Sequence, residues 1–182
     1  LSEHLLTFYW CGEIDLASDN LLQKFFAIAS DDLREHAIRF VGHSLSEGEP
    51  PPPEVLHRLK LLWESRVEVA ETRPLDHVEE LSAFGEWFGS GRFDDEWALK
   101  NLRAVLRLAR KIDRGDKVVE RLAHLANTRP LDAVEAFEQV VDVDTQGWLL
   151  PLVREDAERL LRVALARDDS RERATDVLHR LG

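Results

Sequence analysis

The sequence contains a single cysteine, Cys11, and no methionine among its 182 residues. One cysteine excludes a disulfide within the chain and offers no Cys-x-x-Cys pair for a metal or for redox chemistry. We expect Cys11 to act as a small buried apolar residue. Because a full-length translation product starts with methionine and this chain starts at Leu1, we expect the sequence to be a piece of a larger protein.

Long apolar runs and strand patterns are also missing. No stretch approaches the roughly 20 apolar residues that cross a bilayer, and no signal peptide is recognisable, which favours a cytoplasmic location. No run alternates between apolar and polar side chains as a half-buried strand does. Since 44% of the residues are hydrophobic and 32% are charged, the composition is that of a folded, all-α protein.

The charge is negative and unevenly distributed. The formal net charge is −11. Residues 1–91 carry 7 basic and 17 acidic side chains, whereas residues 92–182 carry 17 and 18. An acidic first half is repelled by phosphates and by anionic membranes, which makes nucleic acid an unfavoured partner and argues against a membrane.

What the chain does contain is a repeated motif. Thr-Arg-Pro-Leu-Asp occurs at residues 72–76 and again, 56 residues later, at residues 128–132. Apolar positions match at the same offset on both sides of the motif, for example Leu62 with Val118. A fixed internal period predicts a helical repeat in which each unit covers the apolar face of its neighbour.

The motif itself predicts a joint between two helices. Proline interrupts the incoming helix and is favoured at the first position of the next one, where an acidic residue two positions on suits the positive helix end. Leu75, Val78 and Leu81 are three residues apart, so we expect them on one apolar face. A ligand-binding loop is the less favoured interpretation.

The periodicity of apolar residues predicts a single domain of about nine to ten helices in roughly three units. Residues 1–19 form a lead-in, and residues 20–53 form a degenerate unit that ends in a proline-rich connector at 50–53. Residues 54–113 form one repeat, and residues 114–182 form a second repeat with a C-terminal helix. We expect helices at 21–29, 33–45, 54–70, 74–88, 94–112, 117–126, 130–141, 151–165 and 170–181.

With antiparallel amphipathic helices and a proline near one turn of each unit, residues 20–182 resemble the HEAT/armadillo-like class of α-helical repeats. The resemblance implies a right-handed stack of helices. Members of this class mostly act as scaffolds or peptide-binding surfaces, so it also implies an interaction role and lends no catalytic residue.

The most regular polar pattern is a basic stripe on the helix at 94–112. The stripe consists of Lys100, Arg103, Arg107, Arg110 and Arg114. Their spacings of 3, 4, 3 and 4 place them along one side of a helix. We expect neighbouring helices to supply acidic partners such as Glu79, Glu80 or Glu135. A docking strip for an acidic partner is the second interpretation, and nucleic-acid binding is the third.

Aromatic residues gather around the loops that follow the two proline-initiated helices. They are Trp87, Phe88, Phe93, Trp97 and Trp148. Tryptophans such as Trp87 and Trp97 are most often core residues. If several were exposed together, they would mark a binding hot spot. Together with the basic stripe, Trp87, Phe88, Phe93 and Trp148 make up the predicted interaction surface.

Metal and cofactor motifs are incomplete. Residues 142–147 resemble the start of an EF-hand loop, but Val153 occupies the position of its bidentate glutamate. The glycines at 85, 89 and 91 lack the preceding strand and the lysine of a phosphate loop. Gly115 is expected to end the long helix. The seven histidines show no ligand spacing. We therefore expect no cofactor and no metal.

These observations predict a non-catalytic protein–protein interaction or scaffold module of a larger cytoplasmic protein. The ratio of 19 arginines to 5 lysines hints at a bacterial-type, GC-rich source. One rival is a nucleic-acid-binding repeat that uses the basic stripe. Another is a regulatory domain that packs on a catalytic neighbour through the apolar residues 8–10.

Overall fold

The computed structural model describes residues 21–181, and within them every regular element is a helix and no strand occurs. The prediction of an all-α protein is therefore confirmed. The predictions made for Cys11, for residues 8–10 and for the lead-in lie outside the described residues. Among residues 21–181 no helix is both long and apolar enough to cross a membrane.

Helices follow one another closely along the chain. They are α1 (Leu21–Ile28), α2 (Asp31–Glu47), α3 (Pro53–Thr72), a 3-10 helix η1 (Pro74–His77), α4 (Val78–Ser82), α5 (Phe84–Gly89), α6 (Asp95–Ala109), α7 (Gly115–Leu125), α8 (Pro130–Val143), α9 (Leu149–Leu152), α10 (Arg154–Leu165) and α11 (Arg171–Leu181).

Eight of these helices pack in two rows. In the first row α2 contacts α5, α5 contacts α7, and α7 contacts α10. In the second row α3 contacts α6, α6 contacts α8, and α8 contacts α11. Contacts of α5 with α6, of α7 with α8 and of α10 with α11 join the rows. The apolar core lies between the rows, because each helix buries one stripe of its surface against the other row.

The two copies of the repeated motif adopt the same backbone conformation. Arg73 has φ −147° and ψ 70°, and Arg129 has φ −135° and ψ 63°. In each copy the threonine hydroxyl donates to the carbonyl three residues earlier, at 3.0 Å for Thr72 and 3.2 Å for Thr128. A proline follows as the first residue of the next helical element. The predicted helix-to-helix joint is therefore confirmed at both places.

Several predicted helix limits are wrong. The helix predicted at 74–88 is divided into η1, α4 and α5. Leu75, in η1, is 87% exposed and does not share the buried face of Leu81. The helix predicted at 94–112 ends at Ala109, because Arg110 takes a left-handed conformation with φ 50°. Gly115 begins α7 and does not end α6.

Close helix contacts depend on glycines in α5. A Cβ atom added to Gly85 would lie 2.0 Å from the carbonyl oxygen of Asp113, and one added to Gly89 would lie 2.7 Å from Cβ of Lys117. Two glycines four residues apart thus let α5 lie directly against the start of α7. On another side of α5, Gly42 of α2 has the same role against Glu86.

Aromatic side chains fill the space around α5. Trp63 stacks on Phe84 with ring centroids 4.8 Å apart, and Trp87 stacks on Phe93 at 5.9 Å. The indole nitrogen of Trp87 donates to the carbonyl of Ile38 at 2.7 Å. This aromatic cluster joins α2, α3 and α5 and forms the centre of the core.

A buried charged cluster links the first helices. Glu80 of α4 is 1% exposed and accepts hydrogen bonds from Arg34 of α2 (3.0 Å) and from Arg66 of α3 (3.1 Å). His77 Nδ1 lies 3.1 Å from the same carboxylate. Burial alone would raise the pKa of Glu80, but the hydrogen bonds and charges of Arg66 and Arg34 outweigh it and lower that pKa.

Candidate functional site

A groove of about 800 Å³ runs along α6, between α3 and α8. Side chains of α6 alternate there between small or apolar ones, such as Ala104 and Leu106, and cations. From α3 come Val67 and three glutamates, and from α8 come Gln139, Asp142 and Val143. The groove therefore has an apolar centre and charged edges.

The basic stripe divides between two places. Lys100, Arg103, Arg107 and Arg110 all line the groove. Arg114 does not, because the chain turns away after Ala109 and places Arg114 in a second cleft near α2 and α7. The prediction of a single stripe of five cations is thus wrong at its last member.

Two of the four groove cations have acidic partners. Arg103 pairs with Glu135 at 2.9 Å and with Asp132 at 3.2 Å. Arg107 pairs with Glu71 of α3 at 3.1 Å. Glu135 is one of the three predicted partners, whereas Glu79 pairs with Lys111 and Glu80 lies in the buried cluster.

The other two cations, Lys100 and Arg110, are exposed and have no hydrogen bond or ion pair with any residue in 21–181. Lys100 lies within α6 and Arg110 directly follows its last residue, so the two are at opposite ends of the α6 side of the groove. Because exposed charges in a concave surface attract counter-charges, these side chains are the ones available to an acidic ligand.

The side of the groove formed by α3 is acidic. Glu64, Glu68 and Glu71 recur at spacings of 4 and 3 and share one side of α3. Glu64 accepts a hydrogen bond from the indole of Trp97 at 2.7 Å. This acidic side was not predicted from the sequence, although its three glutamates show the same spacing of three and four residues by which the cations were identified.

The predicted aromatic surface is largely wrong. Trp87, Phe88 and Phe93 are buried in the core and cannot contact a partner. Their burial is helped by Gly85 and Gly89 of α5 and by Gly42 of α2, which let α2, α5 and α7 approach closely around the rings. Trp148 alone of the four is exposed, at 77%, and it does not line the groove.

The second cleft, of about 360 Å³, lies between α2, α5 and α7. Glu86, His43, His124, Arg114 and Lys117 are among its lining residues. Burial raises the pKa of Glu86, and the charge of Arg114 opposes that effect only in part. His43 lies 3.3 Å from Glu47.

The EF-hand-like loop uses its carboxylates for other contacts. Asp142 forms an ion pair with Arg180 of α11. Asp144 Oδ2 accepts a hydrogen bond of 2.8 Å from the amide of Leu149 at the start of α9. Within the described part of the chain, no group of three or more His, Cys, Asp or Glu side chains is arranged to hold a metal ion.

Comparisons of the chain with protein-family models, with curated proteins and with solved structures find no match.

Proposed function

We propose that the chain is a non-catalytic protein-interaction module that docks a partner segment in the groove along α6. The observation that carries this proposal is the unequal pairing of the groove cations. Arg103 and Arg107 are held by acidic neighbours, whereas Lys100 and Arg110 are exposed in the same groove without such neighbours in residues 21–181. Lys100 and Arg110 are therefore the groove cations left available to a partner.

The proposal includes a HEAT-like helical-repeat architecture with a unit of three helices. Its support is the offset of 56 residues. Adding 56 to the numbers of the first and last residues of α7 (Gly115–Leu125) gives the first and last residues of α11 (Arg171–Leu181). The same offset carries Leu62 onto Val118 and Ala174, which are all buried. Two rows of helices, in which successive members of each row contact one another and most also contact an adjacent helix of the other row, are typical of such arrays.

The acidic side of the groove favours a protein partner over nucleic acid. A nucleic-acid backbone that approached Lys100 and Arg110 would also approach Glu64, Glu68 and Glu71. Repulsion by these carboxylates opposes binding of evenly spaced phosphates. A peptide can present acidic groups to one side and neutral or basic groups to the other.

The composition of the groove favours docking over catalysis. Its polar groups are lysine, arginine, carboxylates and amides. None of these is a hydroxyl or thiol nucleophile with a base held against it, which is the arrangement that covalent catalysis needs. Glu86, the carboxyl group with a raised pKa, lies in the second cleft and not in the groove.

Selection from a displayed library of random peptides tests the proposal. We expect the chain to enrich peptides whose affinity falls strongly when Lys100→Glu and Arg110→Glu are combined. The matched control combines Lys24→Glu and Arg162→Glu, which reverse two exposed cations outside the groove, and we expect it to keep the affinity. Enriched peptides that bind both double variants equally well would contradict the proposal.

Electrophoretic mobility of a labelled duplex tests the nucleic-acid rival with the same proteins. We expect no shift at low salt. A shift that disappears with rising salt, and is absent for the groove variant alone, would replace the protein-interaction proposal by nucleic-acid binding.

A further inference from the structure

Resting on the proposed function, we infer that the groove binds an extended peptide segment of about five residues with acidic side chains at its first and fifth positions and an apolar side chain at its third. The inference follows from the separation of the two free cations of the groove and from the apolar residues between them.

The spacing of the two cations favours a short extended segment. Lys100 and Arg110 are ten positions apart, which corresponds to roughly 15 Å along a helix axis. An extended chain covers that distance with about five residues, whereas a helix needs about ten.

The separation of the free cations sets the spacing of the acids. An extended chain rises about 3.3 Å per residue, so side chains four positions apart are separated by roughly 13 Å. They also point to the same side, because the side-chain period of a strand is two. Acidic residues at the first and fifth positions can therefore reach Lys100 and Arg110 together, and the long flexible cation side chains take up the remaining difference.

The third position of the segment points to the same side as the two acids. Between the two free cations the groove is lined by the apolar side chains of Val67, Ala104, Leu106 and Val143. An apolar side chain at the third position would be buried against these residues, and removal of its surface from water would favour binding. This combination of one apolar and two acidic contacts is what distinguishes the segment from an arbitrary acidic peptide.

The second and fourth positions point to the opposite side. Glu68 lines the groove and has no hydrogen bond or ion pair with any described residue. A carboxylate at the second or fourth position could not reach the two cations and would be repelled by Glu68, so we infer neutral or basic residues there. A uniformly acidic tract is thus a poorer ligand than a segment with spaced acids.

Fluorescence polarisation with labelled, end-blocked peptides tests the inference. We expect the groove to bind Asp-Ser-Leu-Ser-Asp, and to bind the amide version Asn-Ser-Leu-Ser-Asn roughly tenfold more weakly, since two exposed ion pairs are lost. Asp-Ser-Leu-Asp-Ser, with the same composition, places its acids on opposite sides of the chain and should weaken binding to a similar degree.

A charge exchange provides the decisive comparison. The combined variant Lys100→Glu and Arg110→Glu should lose the acidic peptide and gain affinity for Lys-Ser-Leu-Ser-Lys, whereas the control variant Lys24→Glu and Arg162→Glu should behave as the unchanged protein does. Gain of the basic peptide also shows that the variant is folded. A single-stranded oligonucleotide, run in parallel, should bind neither protein.

Two results would overturn the inference. One is equal affinity for Asp-Ser-Leu-Ser-Asp and for its amide version. The other is that the combined variant Lys100→Glu and Arg110→Glu gains no affinity for Lys-Ser-Leu-Ser-Lys. Neither result refutes the docking function itself, because a library selection that yields groove-dependent peptides without spaced acids would leave the proposed function standing. Selection of no groove-dependent peptide at all would contradict both the proposed docking function and the inference about the peptide.

Discussion

The carboxylate of Glu80 in α4 connects three helices, because it accepts hydrogen bonds from side chains of α2 and α3. It is 1% exposed and receives hydrogen bonds from Arg34 and from Arg66. A buried ion pair is not by itself stabilising, but removing one partner leaves the other charge buried without compensation. Among residues 21–181, the loss of Glu80 would leave the buried guanidinium of Arg66 without a charged partner, and Arg34 would keep only its ion pair with Asp31.

We therefore expect Glu80→Gln to lower the free energy of unfolding at pH 7 by about 3 kcal/mol. The pKa of Glu80 is lowered in the folded protein, so its contribution is present above the unfolded value of 4.5 and is lost as the pH falls through the folded value. Urea denaturation at a series of pH values measures both effects. Glu79→Gln, which removes an exposed pair with Lys111, is the control and should change stability by less than about 1 kcal/mol.

Glu86 has the opposite pH dependence. Burial raises the pKa of its carboxyl group, so folding favours the protonated form. A raised carboxyl pKa contributes stability below the unfolded value, and that contribution is lost as the pH rises through the folded value. At neutral pH the charged carboxylate therefore destabilises the folded state.

Replacing Glu86 by glutamine should raise the urea midpoint at pH 7. The difference from the unchanged protein should shrink as the pH falls below 4.5, the unfolded value, where the natural side chain becomes neutral as well. A lower midpoint at pH 7 would show that Arg114 and His43 stabilise the carboxylate more than burial penalises it.

At the scale of helices, the ends were harder to predict than the helices themselves. The spacing of apolar residues identifies α2, α3, α6, α7, α8 and α10, because each buries one stripe of side chains. The end of α6 carries no such signal. Arg110 takes a left-handed conformation that usually belongs to glycine, while Gly115, the expected helix stop, is the first residue of α7.

Arg110→Gly tests whether this conformation is strained. At φ 50° glycine avoids the steric cost of a Cβ atom, so we expect a gain of roughly 1 kcal/mol in the free energy of unfolding. The same change removes one of the two free groove cations, so peptide affinity should fall while stability rises. A variant that lost both stability and peptide affinity would indicate that Arg110 has a structural role in the groove.

The candidate site could be predicted from sequence only along a single helix. Lys100, Arg103 and Arg107 lie on α6 at regular spacing, and a local pattern suffices to find them. Which of them is paired depends on Glu71, Asp132 and Glu135, which come from α3 and α8. The burial of Trp87, Phe88 and Phe93 likewise depends on how α5 lies against two other helices, and no local pattern contains that information.

At the scale of the whole molecule, α11 is the last helix of the described residues. It contacts α8 and α10 and buries Ala174 and Val177, and Arg180 forms ion pairs with Glu138 and Asp142 of α8. In the proposed helical-repeat architecture, the effect of removing α11 should fade with distance from it.

A chain that ends after Ser170 should remain helical with a lower melting temperature. Hydrogen exchange should accelerate in α8 and α10, whereas amides of α2 and α5 should keep their protection. Arg180→Ala, which removes the ion pairs but leaves α11 in place, is the control and should change exchange little. Equal acceleration throughout residues 21–170 would instead show one indivisible cooperative core.

The two concave surfaces lie on different rows of helices. The groove is lined by side chains from α3, α6 and α8 of the second row, whereas the cleft is lined by side chains from α2, α5 and α7 of the first row. The two sets of lining residues have no member in common. A peptide bound in the groove would therefore contact none of the side chains that line the cleft.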